Sequence, residues 1–347
     1  KGKKGKKGKK GAAKAKVQEV KLLDPQGREI TVKQHIQLCK KAYAEACEEA
    51  GRQPLPSVSK KIRTAAEEEK LFTSLVLPVE CTAEDAACLV PFLVRYGQLK
   101  TLCAWRCPIG DDGMRALAGW LVADTELVSL ELMDCGLGAL GVSALGTVLG
   151  QNCRLESVSL DHTPGVGKAL ADIAIGLSAN QTLKTLSLEY CSIGPQECGQ
   201  LGRGLTFSHL TSLSLRGNPL GTEGVRMLVE PLLDGGQTAA SCPLTSLVLR
   251  DCQMGDDQEA LATVCEALQV SQLQKLDMGD NWFTTAGMLI VELIQARPSL
   301  VEVKVPKTLP PTWFKMIIDA AATNAAANKP KKAAKGKKGK KGKKGKK

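Results

Sequence analysis

The sequence predicts an α/β solenoid, a stack of strand–turn–helix units that shares one parallel sheet. Nine strand segments recur at intervals of 27–29 residues, apart from one interval of 34. Further apolar residues follow each segment start by three and five positions, which is the alternation of a half-buried strand. One unit cannot bury its own apolar face, so copies must pack on either side of it. The segments start at Phe72, Leu99, Leu127, Leu155, Leu183, Leu210, Leu244, Leu273 and Leu300.

One unit shows the pattern most clearly. It runs from Leu127 to Leu149, and helical spacing replaces the strand alternation after a glycine-containing turn. Its strand, turn and helix positions are Leu127, Leu130 and Leu132, then Cys135, Leu137 and Gly138, then Gly141, Leu145 and Leu149. The whole chain is 43% hydrophobic but only 3% aromatic, so we expect thin layers of Leu, Val, Ile and Ala.

A column of Cys and Asn lies eight residues after the strand starts. Asn there satisfies free backbone groups where the strand ends, and Cys is small and weakly polar. A metal site is not predicted, because Cys107, Cys135, Cys191 and Cys252 are far apart in sequence and form no CxxC pair. The full column reads Glu80, Cys107, Cys135, Thr163, Cys191, Asn218, Cys252 and Asn281.

The repeat pattern LxxLxLxx(C/N)xLGxxG resembles the ribonuclease-inhibitor type of leucine-rich repeat. The clearest examples are Leu127–Leu149 and Leu183–Leu205. The resemblance implies a leucine-rich repeat solenoid, or horseshoe, with a parallel concave β-sheet and convex helices. Two places depart from the pattern. Thr163-Pro164-Gly165 stands at one turn, which we expect to differ, and residues 234–243 lengthen one interval as an exposed loop.

The composition divides the chain into five regions. A cap helix is expected to begin after Thr31 as N-cap, and Trp313 and Phe314 are expected to cover the other open end. The regions are a disordered Lys/Gly-rich tail (1–16), a helical N-terminal cap region (17–71), the leucine-rich repeat domain (72–305), a C-terminal capping helix (306–328) and a second disordered Lys/Gly-rich tail (329–347).

The charge of +11 hides an acidic body with two polycationic ends. The two tails hold 21 of the 47 basic residues and no acid, which leaves 26 basic against 36 acidic residues in between, a net charge of −10. Such tails are predicted to be disordered and to grip a polyanion, although solubilising tails are the alternative. Representative tail lysines are Lys3, Lys4, Lys6, Lys7, Lys337, Lys338, Lys340 and Lys341.

The concave face is predicted to bind a protein partner. Its outward strand residues are apolar in the first repeats, acidic in the middle and include two arginines towards the end. Trp and Arg are frequent interface anchors. A plain solvated strand face is the alternative, and the N-terminal region is a possible cover for Trp105. The predicted residues are Trp105, Arg106, Glu131, Met133, Asp134, Asp161, His162, Glu189, Tyr190, Arg216 and Arg250.

Enzyme, cofactor and membrane functions are not predicted. No hydrolase, metalloprotease or phosphate-loop motif is present, and His162 with its acidic neighbours lacks a nucleophile. We therefore expect no catalytic, cofactor or metal residues. No apolar run is long enough to span a membrane, and the start does not read as a secretory signal. Reduced cysteines and a cytoplasmic location are expected.

A second resemblance concerns the segment before the repeats. Tyr43-x-x-x-Cys47-Glu48-x-x-Gly51-x-x-Pro54 resembles the lead-in of ciliary and axonemal leucine-rich repeat proteins. Together with the tails it favours a non-enzymatic scaffold in a larger cytoskeletal complex, docked through its tails on the acidic tails of tubulin in a cilium or flagellum axoneme. An RNA- or ribonucleoprotein-associated adaptor is the first alternative, and an inhibitor or regulator of a soluble enzyme is the second.

Overall fold

A computed structural model describes residues 21–123, 126–152, 154–233 and 243–328. Its described residues contain nine strands and eleven α-helices. The strands form one parallel sheet in chain order, and a helix follows each strand. The predicted α/β leucine-rich repeat solenoid is therefore confirmed. Both predicted tails and nearly all of the predicted loop 234–243 lie outside the described residues.

The strands are short, and the longest have five residues. They are β1 (Ser74–Leu77), β2 (Thr101–Trp105), β3 (Ser129–Met133), β4 (Ser157–Ser159), β5 (Thr185–Ser187), β6 (Ser212–Ser214), β7 (Ser246–Val248), β8 (Lys275–Asp277) and β9 (Glu302–Lys304). Two helices precede the sheet, namely α1 (Val32–Glu49) and α2 (Pro56–Glu67).

Each following helix packs on the helices of neighbouring repeats. These helices are α3 (Ala83–Tyr96), α4 (Gly110–Val122), α5 (Ala139–Gln151), α6 (Gly165–Ala179), α7 (Pro195–Thr206), α8 (Gly221–Val229), α9 (Gln258–Val270), α10 (Gly287–Ala296) and α11 (Pro311–Ala327). A short 3-10 helix, Glu230–Leu232, follows α8.

The strand register follows the leucine columns. Leu130 pairs with Leu102 on one side and with Val158 on the other, and all three are buried. A slip of one residue would turn each leucine to the open face, so burial of one sheet face fixes the pairing. The intervals counted in the sequence therefore specify the register of the whole sheet.

The Cys and Asn column joins each strand end to the preceding repeat. Cys135 Sγ donates to the carbonyl oxygen of Ala104 at 3.4 Å. Asn218 Nδ2 donates to the carbonyl oxygen of Leu188 at 2.8 Å, and its Oδ1 accepts from the backbone N–H groups of Cys191 and Ile193 at 2.9 and 3.1 Å. The predicted structural role of this column is confirmed at these positions.

Two members of the column depart from it. In the first repeat Glu80 is exposed and Cys81 is fully buried instead, so the assignment of Glu80 to the column was wrong. Thr163 is buried, but its hydroxyl has no hydrogen-bond partner among the described residues. Helix α6 begins two residues after Thr163, whereas α5 begins four residues after Cys135. The turn at Thr163 therefore differs, as the sequence predicts.

The N-terminal helices are fixed to the first repeat by polar contacts. Thr31 and Gln34 form a capping box at the start of α1. Arg52 donates two hydrogen bonds to the Asp85 carboxylate, at 2.8 and 3.0 Å. Burial alone would raise the pKa of Asp85, but the hydrogen bonds from Arg52 and Thr82 hold it below its usual value. The ion pair thus joins the segment after α1 to the start of α3.

At the other end, α11 packs on the last repeat. Asn324 Nδ2 donates to the carbonyl oxygens of Ile294, Arg297 and Leu300 at 2.8–3.1 Å. The Trp313 ring lies against Gly287, where a Cβ atom would overlap it. The side chain of Trp313 is half-buried against the core, as expected of a residue that covers the open end of the solenoid.

Replacing Asn218 tests the strand-end contact. We expect Asn218→Ala to lower the free energy of unfolding by about 3 kcal/mol, because it leaves buried backbone groups without partners. Asn218→Cys should lose about half as much, since Cys252 makes the corresponding contact with a thiol. Urea denaturation measures both. Asn328 is exposed, so Asn328→Ala is the control. Equal losses of unfolding free energy for Asn218→Cys and Asn218→Ala would show that Cys cannot replace Asn in this contact.

Candidate functional site on the concave face

The concave face is the side of the sheet opposite the helices. The strand register brings its outward residues into columns, in which Glu131 lies between Cys103 and Ser159, and Trp105 pairs with Met133. The eleven residues predicted from the sequence are exposed or half-buried, and none is fully buried. Seven of them form three groups, which are described in turn before the ion pairs of the arginines.

The first group is apolar. Trp105 is 58% exposed and lies beside the half-buried Met133. Val76, on the neighbouring strand β1, is 59% exposed. The described part of the N-terminal region therefore leaves Trp105 uncovered. An exposed aromatic side chain among other apolar groups is typical of a protein interface.

The second group pairs serines with acids on the preceding strand. Ser187 Oγ donates to Asp161 at 2.6 Å, and Ser214 Oγ donates to Glu189 at 2.6 Å. Ser159 occupies the same column, but its buried hydroxyl has no partner among the described residues. For Ser159, the position that holds the acid in the other two pairs is occupied by Met133, which has no carboxylate to accept a hydrogen bond. Asp161 and Glu189 are thus held to the sheet by neighbouring hydroxyl groups.

The third group is a stack of side chains. The rings of His162 and Tyr190 are nearly parallel, with centroids 5.0 Å apart. Arg216 belongs to the repeat after that of Tyr190, and its guanidinium lies 5.7 Å from the centroid of the Tyr190 ring. Gly217 makes room for this arrangement, because a Cβ atom at that position would overlap the Tyr190 ring. The stack is therefore built by contacts between three successive repeats.

The concave arginines differ in their ionic partners. Arg106 lies 3.6 Å from Asp134, and Arg250 Nε donates to Asp280 at 2.7 Å. Arg216 has no carboxylate partner among the described residues, and its Nε is buried without a hydrogen bond. Asp161 and Glu189 are bonded to serines instead. Arg216 is thus available to a carboxylate on another molecule.

Sequence reasoning missed Asp280 and Gly217. Both belong to the column directly after the outward residues, which the sequence analysis followed only as far as Tyr190. The residues of that column share a backbone feature, because each of them adopts a positive φ angle of 51–71°. Its members are Arg106, Asp134, His162, Tyr190, Gly217, Asp251 and Asp280.

Catalytic chemistry finds little support at this surface. The His162 ring stacks on Tyr190, and among the described residues it forms no side-chain hydrogen bond with Asp134, Asp161 or Glu189. Burial raises the pKa of Cys135 and of Cys191 to about 12, so both remain protonated donors. Among the described residues, no three His, Cys, Asp or Glu side chains are grouped to hold a metal ion, and no helix has the length and apolar character to cross a membrane.

Comparison with known proteins agrees with the repeat geometry. A family model described as "Leucine Rich repeat" matches residues 124–146, 179–196, 208–229 and 240–257. The ribonuclease inhibitor of Sus scrofa is 34% identical over 228 residues, which are 62% of this chain and 47% of that protein. The repeats of this chain are thus leucine-rich repeats, and they are similar to those of the ribonuclease inhibitor.

Other relatives share the repeat but are much longer. NACHT, LRR and PYD domains-containing protein 5 of Bos taurus is 32% identical over 60% of this leucine-rich repeat chain and 19% of its own length. The chain thus spans about half of the ribonuclease inhibitors that it matches and about a fifth of this longer relative. An internalin structure from Listeria monocytogenes has 17% identity and a TM-score of 0.35, with 70% of this chain and 74% of that one covered.

Two glycine substitutions test the stack. Gly217 and Gly221 both have positive φ angles, of 71° and 63°, but only Gly217 contacts Tyr190. Replacing either with Ala costs about 1 kcal/mol of backbone strain. Gly217→Ala should also displace the Tyr190 ring and change the NMR shifts of the His162 imidazole protons. Gly221→Ala is the matched control, and equal His162 spectra for the two variants would contradict the stacked arrangement.

Proposed function

We propose that this protein is a non-enzymatic scaffold whose concave face binds a protein partner. The observation that carries the proposal is the combination of an exposed Trp105 with an Arg216 that has no carboxylate partner among the described residues. Both residue types are frequent energetic anchors of interfaces. The solenoid backbone holds them in fixed columns, so the surface is preorganised before a partner arrives.

The layout of the face supports a partner with complementary groups. The apolar start around Trp105 and Met133 favours an apolar side chain. Asp161 and Glu189, in the middle, favour basic groups, whereas Arg216 favours a carboxylate. Such a sequence of apolar, acidic and basic contacts specifies orientation as well as affinity. The leucine-rich repeat relatives named above support a binding role in general.

Substituting the two anchors tests the concave face. A photo-crosslinking residue at Glu131 would first identify the partner in native extract. We then expect Trp105→Ala/Arg216→Ala to weaken binding of the purified partner by more than about tenfold, as removal of interface anchors does. Isothermal titration calorimetry measures the affinity.

A matched pair of substitutions outside the columns provides the control. Trp282 is 63% exposed, and Arg203 is exposed on α7, so Trp282→Ala/Arg203→Ala removes the same side-chain types elsewhere. This variant should bind the partner as the wild type does. Equal weakening by both variants would mean that the concave face does not carry the interaction.

We further propose that the lysine-rich ends dock the scaffold on an acidic surface, with the microtubule lattice of an axoneme as the favoured one. Their 21 lysines carry no compensating acid, while the body between them is acidic. Long unpaired cationic segments bind polyanions through many weak, salt-sensitive contacts. The segment from Tyr43 to Pro54, with its likeness to axonemal proteins, supports the microtubule assignment.

Deleting residues 1–16 and 329–347 tests the docking proposal. We expect the intact protein to pellet with microtubules at low salt and to be released as salt rises, because the contacts are ionic. The deleted form should stay in the supernatant. Microtubules stripped of their acidic tails are the control. Pelleting with RNA but not with microtubules would favour the RNA-associated adaptor, and binding to neither would refute polyanion docking.

The ribonuclease-inhibitor likeness favours a second candidate, inhibition of a soluble enzyme. On this proposal the concave face would bind the enzyme, and the polycationic ends would not be needed. Titration of pancreatic ribonuclease with the intact and the tail-deleted protein separates the two candidates. Equal stoichiometric inhibition by both forms, lost in Trp105→Ala/Arg216→Ala, would support the inhibitor.

A further inference from the structure

The first strand of the sheet has an open edge. Strand β1 stands at one end of the strand order, and among the described residues it pairs only with β2. The carbonyl oxygen of Thr73 accepts hydrogen bonds from the N–H groups of Thr101, the first residue of β2, and of Lys100 just before it. Backbone groups of successive strand residues point to alternate sides, so those of Ser74 and Val76 face away from β2. This edge has the backbone groups that a further strand would use.

A groove lies beside this edge. Its volume is about 590 Å³, and it runs between α2 and the start of β1. Ala65, Leu71 and Phe72 give the groove an apolar lining. Phe72 is fixed in place, because Tyr96 donates to its carbonyl oxygen at 2.7 Å and the two rings stack at 4.6 Å. The apolar lining is thus partly preformed.

The residues that line the groove carry a net positive charge, although the body of the protein is acidic. Lys60, Lys61 and Lys70 line it, against the single acid Glu68. None of the three lysines has an ion pair with a carboxylate of the described residues. Lys61 Nζ lies 5.2 Å from the centroid of the Phe72 ring. The groove therefore combines apolar contact with unpaired positive charge.

We propose that the edge of β1 and this groove bind an extended acidic peptide segment of a protein partner, which adds to the sheet as a further strand. The backbone of the segment pairs with Ser74 and Val76, and its carboxylates meet Lys60, Lys61 and Lys70. An apolar side chain contacts Phe72. Strand addition of this kind takes its affinity from main-chain hydrogen bonds and its specificity from the side chains beside the edge.

This binding mode is independent of the concave face. It uses backbone N–H and C=O groups at the sheet edge, whereas the scaffold function proposed above uses side chains of β2 to β7. It also differs from polyanion docking. A nucleic acid would satisfy the lysines but has no peptide backbone to pair with β1, so main-chain pairing distinguishes a peptide from a nucleic acid.

The probe is a short fluorescein-labelled peptide that alternates glutamate and valine, added to the full chain. A strand that joins one edge uses the N–H groups of alternate residues. We prepare two further peptides, N-methylated at every glutamate or at every valine. One of them should lose at least about tenfold in affinity by fluorescence anisotropy, and the other should lose much less. Equal affinities of the two methylated peptides would overturn the proposal, because lysine tails would not distinguish them.

Matched charge reversals locate the site. Lys60→Glu/Lys61→Glu should weaken binding of the unmethylated peptide by at least about tenfold, because it reverses two charges at the groove. Lys33→Glu/Lys40→Glu makes the same charge change on exposed positions of α1 and should bind as the wild type does. Equal weakening by both double variants would also overturn the proposal. Circular dichroism checks that both remain folded.

Discussion

The buried Cys or Asn side chain at the end of six of the nine described strands is the contact on which the solenoid depends. A turn at that point leaves backbone groups that lie too deep for water, and a Cys or Asn side chain satisfies them. Cys135 and Asn218 reach carbonyl oxygens of the preceding repeat, so each contact also fixes the position of one strand against the next. Burial keeps the Cys135 thiol protonated and therefore able to donate. Local turn chemistry and long-range register are thus set by one side chain.

A fixed register determines what the concave face presents. Because successive strand residues alternate between faces, burying the leucines necessarily turns the residues between them outward. Their neighbours on adjacent strands are then decided as well. Ser187 and Ser214 meet Asp161 and Glu189, whereas Arg216 has no carboxylate partner among the described residues. The surface proposed to bind a partner is a consequence of the packing, although its residues are not needed for that packing.

The sheet could be predicted well from the sequence because the spacing of the leucines determines the register of the strands. The predicted column of strand-end residues was wrong at Glu80, because Cys81 is the buried residue there. The first strand has no preceding repeat to contact, so the constraint that keeps this column aligned is missing there. The role of Gly217 was also missed, because it depends on the position of a ring from the neighbouring repeat. The partner-binding role of the concave residues and the five-region division stay predictions.

A stack of repeats has two unequal ends. At the C-terminal end, Asn324 of α11 donates to carbonyl oxygens in the last turn of α10 and just before β9. At the other end, α1 and α2 cover the side chains of β1, and Leu75 is 1% exposed. The outer backbone edge of β1 has no strand beside it in the described part of the chain. The lysine-rich tails carry the same charge as the groove next to that edge, so they do not complement it. An acidic segment from another protein has the charge and the backbone groups that this end of the sheet lacks.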